Sequence, residues 1–177
     1  DIDGTLYDNQ NDRIPASTIK SLQLLKENPN VEIAIATGRS HFILDRVKDI
    51  LHYFDAFVFL NGLHIVYKGK DIYCHIPNEE LMYDLIKSIK DKELIHGCFN
   101  RNEEFISAIN AQIKADFDAV NLEVPTIGEI EEVKDIMQLY FFGSTSDFDH
   151  IQEKHPEFRV VPWHTNGADI LPVNISK

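Results

Sequence analysis

Two short, almost uninterrupted apolar runs, VEIAIATG at 31–38 and AFVFL at 56–60, constrain this chain more than any other feature. Runs of that length without polar alternation suit strands covered on both faces, as in a parallel sheet. Helical periodicity separates them: in SHFILDRVKDILHYF, residues Phe42, Ile43, Val47, Ile50 and Leu51 recur at helical spacing. A second helical stretch precedes them, PASTIKSLQLLKENPN, with a start signal at Pro15 to Ser17 and a stop at Asn28-Pro29-Asn30. Its apolar side is Ile19, Leu22 and Leu25. With the opening DIDGTL read as a strand running into a loop, the order is strand, helix, strand, helix, strand. That order predicts an α/β fold with a doubly wound, mostly parallel sheet.

The texture then changes. LHIVY, KGK and DIYCHI read as a hairpin, and NEELMYDLIKSIKDK as an amphipathic helix with Asn78 as its cap. Short strands recur at IHGCF, FISAI, DIMQLYFFG and FRVVPW, between acidic segments that read as loops or helices. This is an α+β pattern and predicts a second module at 78–162, inserted after a first part at 1–77. The last stretch, 163–177, contains ADILPVNISK, a strand and turn expected to return to the first sheet.

A net charge of −12 argues against nucleic-acid and anionic-membrane partners. A small phosphorylated molecule stays open, because one local cation reverses the field at one site. No apolar run reaches the length of a membrane span, and no secretory signal opens the chain. Cys74 and Cys98 have no metal spacing and are too few for a disulfide scaffold, which points to reduced thiols and a cytoplasmic setting. The eight histidines are scattered, without a zinc pattern.

The chemistry concentrates in the first six residues. Residues two apart on a strand share a face, so Asp1 and Asp3 would converge at the strand's C-terminal end, where open parallel sheets bind ligands. Two such carboxylates repel unless a cation or proton intervenes, and Mg²⁺ suits hard oxygen ligands and phosphate. A carboxylate can attack phosphorus while a second, protonated one serves the leaving group. Gly4 allows the sharp turn beyond.

DIDGTL resembles the first motif of the haloacid dehalogenase superfamily, mostly Mg²⁺-dependent phosphatases with an aspartate nucleophile. IAIATGRS resembles the second motif, FLNGLHIV the Asn-Gly segment of the Cof-type branch with a type-two cap, and ADILPVNISK the third motif, ending at Lys177. The resemblance implies a Rossmann-like core carrying an inserted α+β cap. It also implies Asp1 as nucleophile and Mg²⁺ ligand, and Asp3 as general acid and base with its backbone carbonyl on the metal. Thr37 and Lys177 would hold the phosphoryl oxygens.

Gly38 and Arg39 fall on the loop after the second motif's strand. Arg39 reads equally as an anion-binding residue and as a solvated arginine at a helix start. Asn61 reads first as the left-handed residue of a strand-end turn and second as a substrate contact. His164 and Asn166 are loop residues that could line the substrate side, and Trp163 reads as packing where cap meets core.

The family pattern further implies an apolar strand leading into Asp1 and an acidic Gly-Asp-x-x-x-Asp motif after Lys177. Both are expected on the flanks of the written sequence, which carries three of four motifs and is expected to be a poor catalyst by itself. The function implied is a cytoplasmic phosphatase acting on a small phosphorylated metabolite. Two alternatives remain: a sugar phosphomutase or phosphotransferase of the same branch, and a binding module without turnover. The sequence leaves oligomeric state open.

Overall fold

Pro15, with its fixed φ, stands just ahead of the first helix, α1 (Ala16–Lys26), and its carbonyl accepts from the N–H of Thr18 and Ile19 in the first turn. Leu22 is buried on its inner side, whereas Leu25, expected there too, is 45% exposed. The structure, a computed structural model, describes residues 1–119, 122–163 and 166–177. It divides into two compact units, one of Asp1–His75 with Ser176–Lys177, the other of Ile76–Ile175.

In the first unit β1 (Ala34–Ala36) pairs in parallel with β2 (Ala56–Phe59), Ile35 opposite Phe57. The next strands, β3 (His64–Tyr67) and β4 (Lys70–Cys74), form the expected hairpin and pair antiparallel, giving the order β1-β2-β3-β4. Parallel pairing among these strands is confined to β1–β2, because only that pair is joined through a crossover.

That crossover is shorter than its periodicity suggested. It is a 3-10 helix over Asp45–Tyr53, and Phe42 and Ile43 precede it. Three residues per turn stack Val47, Ile50 and Tyr53 in one row, and Val47 and Ile50 are buried in a core with Ile2, Tyr7, Leu22 and Ile35.

The opening residues differ from expectation as well. Asp1 to Tyr7 is a tight turn, not a strand: the Ile2 carbonyl accepts from the N–H of Thr5, Leu6 and Tyr7, with a single bridge between Asp3 and Tyr7. Ile2 anchors the turn in the core.

The second unit carries α2 (Glu79–Lys90), β5 (His96–Phe99), β6 (Glu104–Ile106), α3 (Ala111–Ala119) and β7 (Thr126–Ile127). Then come β8 (Gln138–Phe142), α4 (Thr145–Lys154), β9 (Phe158–Pro162) and β10 (Gly167–Pro172). The Asn78 side chain caps α2, accepting from the N–H of Glu80 and Leu81. Met82, Leu85, Ile86 and Ile89 form its inner stripe, which packs with Phe148 and Ile151 of α4 onto Cys98, Leu139, Phe141, Ala168 and Ile170 of the sheet.

The six strands run in the order β7-β6-β5-β8-β10-β9. Here the reading of 163–177 as a return to the first sheet is corrected. Residues 167–172 lie between β8 and β9, paired antiparallel with both, and only Ser176 and Lys177 group with the first unit. The apolar alternation of Ala168, Ile170 and Pro172 serves either sheet equally, so sequence alone could not choose its partners.

On the sheet's other face Tyr140 lies across Gly97, where a Cβ would come within 2.3 Å of its ring. Trp163 packs on Gly167, Tyr140 and Phe142. Burial pushes the Cys98 thiol up to about 12, so it acts as a small core residue. Among the described residues no helix is long and apolar enough to cross a membrane.

Candidate active site

Seven of the site residues singled out in the sequence lie in the first unit, and two ion pairs draw the most distant of them together. Lys177 Nζ donates to Asp1 Oδ2 at 2.7 Å, joining positions at opposite ends of the sequence. The other oxygen, Asp1 Oδ1, accepts the Ile2 N–H at 2.9 Å, which fixes the carboxylate's direction.

Asp3 is held more firmly. Arg39 Nε donates to its Oδ2 at 2.8 Å and Nη2 to its Oδ1 at 2.9 Å, a bidentate grip. A second guanidinium, Arg46, adds an Nη1 contact to Oδ1 at 3.4 Å. Burial works to raise the Asp3 carboxyl, but the hydrogen bonds and charges of Arg39 and Arg46 outweigh it and hold the group below its ordinary 3.8.

Thr37 follows β1, its N–H bonded to the Val58 carbonyl at 2.9 Å and its side chain buried. Its Oγ1 accepts the Arg39 N–H at 3.1 Å, which leaves the hydroxyl proton to be donated elsewhere. The backbone knits this loop to the next: Asn61 N–H donates to the Thr37 carbonyl and Leu60 N–H to that of Arg39, both at 3.0 Å. Asn61 has the left-handed conformation expected of its turn, with φ 56°. Its amide lies over Gly38, where a Cβ would stand 3.2 Å from Asn61 Oδ1, so a residue without a side chain suits the crossing.

The whole chain, residues 1–177, matches the family model for haloacid dehalogenase-like hydrolases. The chain belongs to the haloacid dehalogenase-like hydrolase family. It is 28% identical over 181 residues to the phosphatase candidate YkrA of Bacillus subtilis (strain 168), covering 100% of this chain and 68% of that protein.

Among solved structures it shares the fold of the subclass IIB sugar phosphatase BT4131, with TM-score 0.89 and 22% identity over 99% of this chain and 69% of that one. It is also similar to a hypothetical protein from Geobacillus kaustophilus HTA426. There the TM-score is 0.83 and the identity 29%, over 98% of this chain and 67% of the other.

Within this haloacid dehalogenase-like chain, Asn166 belongs to the second unit and the other described candidates to the first. It is exposed in the second unit, its carbonyl accepting the Gly143 N–H at 2.8 Å at the start of β10's turn. His164 lies outside the described residues.

Arg46 is the residue that the sequence reading missed. In DRVKDIL it looks like any solvated basic residue, and only the 3-10 helix turns it toward Asp3. Two neighbours that steady it, Tyr7 and Asn9, gave no signal either.

For the Mg²⁺ that the family implies, the Asp1 carboxylate and the Asp3 backbone carbonyl are hard oxygen donors. The Asp3–Tyr7 bridge uses the N–H of Gly4 and Tyr7, leaving Asp3's own carbonyl outside its two bonds. These donors fit an ion that takes one or two carboxylates and keeps several waters. Among the described residues no three His, Cys, Asp or Glu side chains gather into a metal-holding group.

Proposed function

We propose that this protein hydrolyses the phosphate monoester of a small metabolite through a covalent aspartyl-phosphate on Asp1. The observation that carries the reading is the Lys177–Asp1 pair at 2.7 Å beside a second, arginine-clamped carboxylate two residues away. A lysine on the attacking carboxylate is placed to offset the negative charge that phosphate brings.

Asp1 Oδ attacks phosphorus and the ester C–O–P bond breaks on the phosphorus side. Asp3 supplies the proton that the leaving alkoxide takes up. Asp3 then accepts a proton from water as that water attacks the aspartyl-phosphate, releasing inorganic phosphate and restoring Asp1. Thr37 Oγ1, with its proton free to donate, and Lys177 Nζ hold the phosphoryl oxygens. Gly38, Arg39 and Asn61 would contact the substrate. Bound at Asp1 and the Asp3 carbonyl, Mg²⁺ would supply charge neutralisation at the phosphate.

In the structure Arg39 and Arg46 keep Asp3 ionised, the form suited to the water-activating step. Service as the acid calls for that grip to loosen. The phosphatase candidate of similar sequence supports phosphatase chemistry, and the fold is one that a sugar phosphatase also uses.

The test is turnover of small phosphate monoesters by the full-length protein with Mg²⁺, against Asp1→Asn. Loss of at least about 10³-fold in kcat with the fold intact is expected. Comparable turnover by the Asp1→Asn protein would show that Asp1 is not the nucleophile.

A further inference from the structure

Asp3 carries two guanidinium groups where one would neutralise it, and they hold it differently. Arg39 grips both oxygens at 2.8 and 2.9 Å, while its remaining contact, Nη1 to the Ile43 carbonyl, is long at 3.5 Å. Arg46 touches only Oδ1, at 3.4 Å, well beyond the roughly 2.7–2.9 Å of a tight charge-assisted bond.

Arg46 is nonetheless the better anchored of the two. It lies in the first turn of the 3-10 helix, next to fully buried Val47. Its guanidinium stands 4.9 Å from the Tyr7 ring centroid, and Nη1 donates to Asn9 Oδ1 at 3.2 Å. Tyr7 is itself pinned, its hydroxyl donating to Asp12 Oδ1 at 2.8 Å. The Arg46 side chain is 8% exposed, and its buried Nε finds no hydrogen-bond partner among the described residues.

A fixed cation with a slack contact and an unused donor is held in reserve. Arg39, by contrast, is secured mainly by Asp3, so an incoming anionic group competes directly for its fork. If Arg39 turned away with no second cation present, Asp3 would face both Asp1 and the substrate phosphate uncompensated.

We propose that Arg46 is a positioning residue that keeps Asp3 aligned and charge-compensated when Arg39 turns from Asp3 to an anionic group of the substrate. The proposal rests on Asp3 as the acid and base of the proposed hydrolysis. Of the proposed catalytic groups Arg46 meets only the Asp3 carboxylate, and it acts through that group.

The experiment is steady-state kinetics of the full-length protein carrying R46M, R46Q, R46K, R39K, D3N or D3N with R46M, with thermal melts to check folding. R46M and R46Q should lower kcat on the order of tenfold to a hundredfold, the scale of a misaligned catalytic group, with KM within about threefold. R46K should keep most of kcat, because a single-oxygen contact needs a point charge and not a fork. R39K should instead raise KM. On the residual turnover of D3N, adding R46M should change nothing.

Wild-type kcat in R46M and R46Q overturns the proposal, as does R46M costing as much in D3N as in the parent. Should R46M and R46Q fail to fold, R46K decides: a folded R46K protein that has lost kcat as completely as D3N overturns it, and one that retains kcat supports it. A D3N protein with wild-type kcat overturns the reading of Asp3 and this proposal with it. An inactive D3N protein beside fully active R46M and R46Q proteins overturns this proposal alone.

Discussion

In the unit of Asp1–His75 with Ser176–Lys177, charged side chains reach between loops to hold one another. Asp1 meets Lys177, and Asp3 meets Arg39 and Arg46. In the unit Ile76–Ile175 a continuous apolar layer lies between a sheet and two helices, and β8 is buried along its whole length. The first unit's strands are three to five residues long and β4 is exposed throughout. Ion pairs of this partly exposed kind contribute little to stability, yet they set the direction of carboxylates to within a bond length. Apolar burial does the reverse, contributing most of the stability while being indifferent to the direction of any one group. The contrast separates residues whose loss should silence chemistry from residues whose loss should unfold the chain.

Truncation in the second core gives the largest expected effect on folding. Phe141→Ala removes a fully buried ring that packs edge-on to Phe148. It should cost about 3–5 kcal/mol in denaturant unfolding. By the same measurement Asp1→Asn, which neutralises a carboxylate whose side chain is 43% exposed, should change stability by less than about 1 kcal/mol while abolishing turnover. Equal losses of stability in the two would erase the distinction.

Glu104 on β6 sharpens it from the other side. Burial raises its carboxyl to about 7, with the hydrogen bond from Tyr140 opposing and the Asp169 charge reinforcing the rise. A carboxyl raised from an ordinary 4.5 keeps its proton in the folded state after the unfolded chain has lost it. Between those values stability therefore falls as pH rises, and the penalty is complete above about pH 7. Glu104→Gln should be nearly neutral at pH 4 and stabilise by up to about 2–3 kcal/mol at pH 8. Urea titrations at the two pH values check this, and a pH-independent difference would contradict it.

The smallest effect concerns a helix end. Ser144 and Asp147 form a reciprocal capping box at α4, and the Ser144 hydrogen bonds, with Lys92, draw the Asp147 carboxyl down to about 2. Ser144→Ala should cost about 1 kcal/mol, read as a lowered melting temperature.

The hairpin at 64–74 and the capped helix at 79–90 were legible because local signals decide them: a Lys-Gly-Lys turn, an Asn cap, an i, i+3, i+4 stripe. The site candidates rest on a different ground: Thr37, Gly38, Arg39 and Asn61 fall in segments that resemble a family's motifs, and of them Asn61 has the left-handed backbone, φ 56°, expected of its turn. The 3-10 helix was not legible, since Val47, Ile50 and Tyr53 at intervals of three also satisfy an α-helical stripe. Nor was the place of β10, whose alternation fits any half-covered sheet.

By itself the sequence determined most of the strands and helices, the hairpin at 64–74 and the capped helix at 79–90 among them, and most of the apolar faces they bury. Those follow from periodicity and from residue types whose conformational demands are local. The tertiary structure alone decided that Arg46 joins Arg39 on Asp3, that residues 167–172 belong to the second sheet, and that Lys177 closes on Asp1. These depend on which distant surfaces meet. A charged side chain has many partners of the right sign in sequence, and only the packed chain selects one.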